Sequence, residues 1–153
     1  MQSSSAHAHS LVREHFPTLA DDVSKFPVRE GEDPWTVDEV LEIAESLIEE
    51  DQRLKVELAE SDADLSEFLR NSGDGSGDDQ ADYGSSSLER EQVLTFVNNT
   101  RDVLEQNQRA IARIQAGTLG TCEQCGLPIG KARQMAFPRA TLCVSCKQKE
   151  ERR

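Results

Sequence analysis

The chain has 153 residues, of which 36 % are apolar, 5 % aromatic and 30 % charged, and its formal net charge is -12. So little apolar material excludes a large round core and favours an elongated helical body with a narrow buried seam. The acidic excess argues against unspecific binding to nucleic acid, because like charges repel.

The charge is unevenly placed. Residues 117–153 carry seven Lys/Arg against three Asp/Glu, whereas residues 1–116 carry ten against twenty-six. A basic C-terminal head therefore sits on an acidic body. No run of 18 apolar residues occurs, so no transmembrane helix is expected. The opening MQSSSAHAHS has neither a basic segment nor an apolar one, so no secretory signal is expected and the protein is assigned to the cytoplasm. There, paired cysteines serve more often as metal ligands or redox groups than as structural disulfides.

Residues 1–35 read as an irregular or disordered N-terminal extension. Pro17, Pro27 and Pro34 punctuate it, and its few apolar residues show no sustained period. His7, His9 and His15 are the only histidines, and no cysteine or carboxylate cluster lies beside them. A solvated tail is the expectation.

Residues 36–116 are expected to form a long antiparallel coiled-coil hairpin. Thr36 followed by Glu39 fits a capping box at the start of the first helix. Val40, Ala44, Leu47, Leu54, Leu58, Leu65 and Phe68 recur at alternating spacings of three and four, with Asp51 and Ser61 at two skipped seam positions. Glu49–Arg53 and Asp51–Lys55 are spaced to pair on the outer face. The glycine-, Asp- and Ser-rich stretch NSGDGSGDDQADYGSSS predicts an acidic loop over 71–84. A second helix is expected from Ser85 to Ala116, capped by Ser86 with Glu89. Leu94, Val97, Leu104 and Ile111 mark its seam, and Val93, Phe96, Val103, Ala110 and Ile114 widen it. Folding back places Leu104 against Leu54 or its neighbours, because each seam otherwise faces water. Gly117 and Gly120 end the second helix.

Residues 117–153 hold all four cysteines, Cys122, Cys125, Cys143 and Cys146, in two C-x-x-C pairs separated by 17 residues. Four thiolates suit a tetrahedral Zn²⁺, with Zn–S bonds of roughly 2.3 Å. Four cysteines fill such a site and leave no position open for a substrate, so one structural zinc is expected. Iron also suits four sulfurs. Gly126, directly after Cys125, allows the tight turn that points N–H groups toward sulfur. Leu119, Leu127, Ile129, Met135, Phe137 and Leu142 are expected to pack a small core around the metal. The VSCKQKEERR segment predicts a short basic C-terminal helix. Lys131, Arg133, Arg139, Lys147, Lys149, Arg152 and Arg153 form either a solvated basic face or a patch for an anionic ligand or an acidic protein surface.

The stretch GTLGTCEQCGLPIGKARQMAFPRATLCVSCK closely resembles the C4 zinc finger of the DksA/TraR family of bacterial transcription regulators. The hairpin before it also fits that family, so the resemblance runs from about Thr36 to the C-terminus. It implies a non-enzymatic regulator that binds RNA polymerase directly, without sequence-specific DNA contact. In that family a D-x-x-D-x-A tip on the coiled coil enters the secondary channel of the polymerase. The corresponding segment here is DQADYG, with Asp79 and Asp82 as the acids and Gly84 in place of the alanine. Family members differ in their response to the alarmone ppGpp, which makes ppGpp a further partner that the resemblance implies. Two other functions fit the residues alone: a zinc-binding scaffold acting through coiled-coil contacts, and a thiol oxidoreductase using Cys122/Cys125 or Cys143/Cys146.

Overall fold

A computed structural model describes residues 12–73 and 80–152, with side chains for residues 12–71 and 87–152. The elements in chain order are a helical turn at 12–15, α1 (Leu19–Asp22) with a 3-10 turn (Val23–Lys25), α2 (Val37–Gly73), α3 (Gln80–Gln115), α4 (Lys131–Ala136) and α5 (Val144–Glu151). The fold is mainly α: the long helices α2 and α3 form an antiparallel coiled-coil hairpin, followed by the cysteine-bearing segment. The chain divides into two compact units, residues 1–50 with 106–153, and residues 51–105.

α2 begins where the capping box puts it. Glu39 N donates to Thr36 Oγ1 at 3.2 Å, and Thr36 N donates back to Glu39 Oε1 at 2.9 Å. Two helix-terminal donors are thereby satisfied reciprocally. Helix extends further into the glycine-rich stretch 71–84 than its composition suggests. α2 continues to Gly73 and α3 starts at Gln80, so Ser86 lies within a helix and is not its cap. A glycine costs a helix only about 1 kcal/mol relative to alanine, which helices already nucleated by packed turns absorb.

In the unit of residues 51–105, Leu54, Val97 and Leu104 are buried, with Asp51, Ser61 and Thr100 as the polar members of the seam. Asp51 holds Lys55 at 2.8 Å, and Arg53 pairs with Glu57 at 2.9 Å. Arg101 reaches Asp62 at 3.5 Å across the two helices. Phe96, expected to widen the seam, is instead exposed.

The other unit holds the main core. Val40, Ile43, Ala44, Leu47 and Ile48 of α2 pack with Ala110, Ile111 and Ile114 of α3 and with Leu119. Asn107 occupies the same stripe of α3, fully buried, and its Nδ2 donates to Leu47 O at 2.8 Å. The N-terminal segment joins this core, which corrects the expectation of an irregular, solvated extension for the described residues 12–35. Val12, Phe16, Leu19, Val23, Phe26 and Trp35 are all buried there. Their successive spacings of four, three, four and three from Val12 to Phe26 are a seam, broken into short turns at Pro17. Gln115 Nε2 donates to His15 O at 3.0 Å, and Trp35 Nε1 to Pro27 O at 3.1 Å. Gly120 lies under this contact with φ 88°, where an added Cβ would meet Pro27 O at 3.1 Å.

Candidate metal centre

The finger is assembled from two cysteine turns. In the first, Gly126 N donates to Cys122 O at 3.0 Å and Cys122 N to Leu127 O at 2.8 Å. Gly126 adopts φ 77°, a left-handed position that closes the turn after Cys125 without a Cβ penalty. The second turn is the start of α5. Cys143 is its N-cap, and its Sγ accepts from Cys146 N at 3.5 Å. Glu123 N donates to Thr141 O at 2.9 Å, which ties the two turns together. Ile129 N donates to Gly120 O at 2.7 Å, which closes the loop behind the first turn.

This scaffold brings the four sulfurs within 4.8 Å of one another. Cys125 Sγ and Cys143 Sγ are 3.8 Å apart. A tetrahedron with Zn–S bonds of about 2.3 Å has edges of about 3.8 Å, so the donor set fits one zinc ion. Electrostatics asks for the same thing. Burial opposes ionisation of Cys122, but backbone N–H groups of Cys125, Cys143 and Gln124 outweigh it and lower its pKa to about 6. Burial and the neighbouring sulfurs push Cys146 up to about 12. Four thiolates this close repel one another unless a cation shares the site, and metal binding releases the remaining protons. The cofactor is therefore one structural Zn²⁺ that supplies cross-linking rather than chemistry at an open position.

The core around the sulfurs is smaller than the sequence suggested. Ile129 is buried with Cys122 and Cys146, and Leu142 packs beside them. Leu119 and Met135 belong instead to the main core. Leu127 and Phe137 are 64 % and 60 % exposed. Polar contacts do the work expected of those side chains. Buried Gln134 donates through Nε2 to Phe137 O, Pro138 O and Ala140 O at 3.1–3.4 Å. Arg113 of α3 donates to Thr118 O at 3.0 Å, to Thr121 O and to Glu123 Oε1 at 3.2 Å, anchoring the first cysteine turn to the helix. Neither residue stood out in the sequence, because a Gln or Arg in a polar stretch carries no spacing signal.

Two of the described basic residues of the finger are paired with acids of α2. Lys131 is paired with Glu39 at 2.8 Å and Arg139 with Glu50 at 3.8 Å. Arg109, Arg133, Arg139 and Lys147 do line a groove of about 840 Å³, together with Glu123, Glu150 and Glu151. Of the two acids expected at the tip, Asp79 lies outside the described residues. Asp82 falls within α3, but its side chain also lies outside them.

Residues 117–152 match the prokaryotic dksA/traR C4-type zinc finger. The structure resembles that of transcription factor DksA2 from Pseudomonas aeruginosa, with a TM-score of 0.59 and 25 % identity, over 74 % of this chain and 83 % of that one. The four-cysteine finger is thus of the DksA/TraR type. Among DksA/TraR relatives, the RNA polymerase-binding transcription factor DksA of Caulobacter vibrioides is 37 % identical over 75 residues, 49 % of this chain and 53 % of that protein. The protein of the same name from Escherichia coli K12 is 29 % identical over 69 residues, 45 % of this chain and 46 % of that protein. The chain thus spans about half the length of the DksA relatives it matches. Among the described residues, no helix is long and apolar enough to cross a membrane.

Proposed function

We propose that this chain is a cytoplasmic, non-enzymatic regulator of transcription initiation that binds RNA polymerase directly. The observation that carries the reading is the combination of a four-sulfur finger with an antiparallel hairpin, in a fold like that of DksA2. In this reading Cys122, Cys125, Cys143 and Cys146 are the zinc ligands, residues 117–153 are the finger, and the hairpin of residues 36–116 presents its bend to the polymerase secondary channel. Asp79 and Asp82 act there by charge, on basic groups or on the metal's surroundings. Acidity along the body supports a mode without sequence-specific DNA contact, since phosphates would be repelled. ppGpp enters the same proposal as a partner. Its support is the groove lined by Arg109, Arg133, Arg139 and Lys147.

Two experiments on one preparation test this. Core RNA polymerase should retain the zinc-loaded protein in a pull-down, and the protein should alter initiation in vitro. The double change Asp79→Asn, Asp82→Asn should leave folding and retention nearly intact, because binding rests mainly on the hairpin and the finger, while the effect on initiation disappears. No retention at all rejects the polymerase partner. Equal activity of wild type and double variant rejects the tip mechanism alone. One tightly held zinc with no titratable thiol rejects the oxidoreductase alternative.

A further inference from the structure

We propose that residues 29–39 form a clasp that fastens the start of α2 to α4 of the finger through Lys131 and Glu32, and that this clasp opens without release of the zinc. Lys131 is the joint. Its Nζ donates to Glu39 Oε1 at 2.8 Å, to Pro34 O at 3.3 Å and to Asp33 O at 3.4 Å. The same ammonium lies 5.9 Å from the centre of the Trp35 ring. Its backbone N–H donates to both oxygens of Glu32, at 3.1 and 2.9 Å, and Ala132 N adds a third bond at 3.3 Å. Glu32 also accepts from Arg29 N at 2.7 Å, so its carboxylate closes its own turn and caps α4 at once. Glu39 is shared in the same way, between Thr36 at the start of α2 and Lys131 of the finger.

These contacts join segments about a hundred residues apart in sequence. None involves a cysteine, and the sulfurs are held by a separate set of bonds through Thr141, Leu127 and Arg113. The finger is therefore held internally by the metal, to α3 by Arg113, and to the start of α2 by charge-assisted hydrogen bonds to carboxylates near the surface. Bonds of the last kind lie close to solvent and open locally far more readily than a core. Opening would leave α4 without its cap, while the local Thr36–Glu39 capping box of α2 remains.

Trp35 is the only tryptophan in the chain and is 5 % exposed, which makes its emission a direct reporter. The test compares the zinc-loaded full chain with Lys131→Met, Glu32→Ala and the double variant. Hydrogen exchange over residues 27–36, Trp35 emission, far-UV ellipticity and bound zinc are read together. The double variant should exchange roughly ten- to hundredfold faster in that segment, the factor expected from losing bonds to charged groups. Its Trp35 emission should shift to the red, while ellipticity and one zinc per chain remain. Lys131→Met alone, which keeps the backbone bonds to Glu32, should give a smaller acceleration of the same segment. Unchanged exchange in the double variant would overturn the clasp, since the buried apolar side chains would then hold the segment unaided. Loss of zinc in step with the exchange would overturn its independence from the metal.

Discussion

Asn107→Leu should stabilise the protein. Asn107 is fully buried in the main core, and Nδ2 bonds to Leu47 O at 2.8 Å while Oδ1 has no partner among the described residues. Burying an unpaired acceptor costs ~1–3 kcal/mol, and burying a leucine side chain contributes ~1.5–3 kcal/mol. Against this stand the lost amide bond, ~0.5–1.5 kcal/mol, and the strain of extra volume, ~1–3 kcal/mol where no space exists. Space does exist: an open groove of about 240 Å³ lies beside Asn107, lined by Leu47, Ala136, Phe137 and Pro138 with Ser46, Glu50 and Arg139. Leu47 O is not orphaned either, because it sits in the middle of α2 and keeps its helical partner. The net gain is about 1–2 kcal/mol, which for a chain of this size raises Tm by roughly 2–8 °C. Thermal melts of the zinc-loaded protein at 222 nm, checked by urea titration, measure it. A Tm lowered by several degrees would refute the reasoning and mean that solvent in the groove satisfies Oδ1. The same variant should loosen the register of the seam, the role best attested for a buried asparagine between helices, and cross-linking between α2 and α3 would detect alternative pairings.

Cys143→Ser removes one sulfur but keeps a good N-cap for α5. Zinc should be lost and residues 117–152 should become protease-sensitive, while most helical ellipticity remains; an intact, zinc-bound finger would sink the four-sulfur assignment. Leu104→Asp places a charge in a buried seam position of the 51–105 unit at a cost of ~3–5 kcal/mol, so the midpoint of unfolding should fall sharply, and an unchanged melt would mean that the stripe does not pack. Acid should open the N-terminal clasp. Glu32 is held below its usual 4.5 chiefly by the Lys131 backbone N–H, and Glu39 chiefly by the Lys131 ammonium. Depressed folded values mean stability present above about 4.5 and lost as pH falls through the folded pKa. Trp35 emission should therefore be flat above that pH and change below it, with Glu32→Gln removing part of the transition.

The metal site was legible because its signal is chemical and local. Four cysteines at two C-x-x-C spacings have few other uses, and the turns that gather them span only a few residues. The start of α2 was legible for the same reason, since Thr36 and Glu39 satisfy each other. The N-terminal segment was not. Its apolar period is present from Val12 to Phe26, but the prolines around it and the absence of one continuous helix hide what the residues pack against. Long-range partners are invisible to a spacing rule: nothing about Lys131 announces Glu39, and nothing about Asn107 announces Leu47. The finger failed differently. Leu127 and Phe137 are apolar, yet composition does not say which face of a small turn-rich segment meets the core, and Gln134 and Arg113 replaced them with bonds to backbone carbonyls.

The sequence separation of 100 residues between His15 and its Gln115 partner has a consequence on the ribosome. At about 5–20 residues per second, the N-terminal segment emerges roughly 5–20 s before the chain that will cover it exists. During that interval Phe16, Leu19, Val23 and Phe26 have no completed core to enter. α2 can form as it is made, because its cap is local; the segment ahead of it cannot settle until α3 and the stretch through Lys131 have been synthesised. A nascent chain stalled short of that point should offer its N-terminal apolar residues to chaperones, and one released beyond it should not.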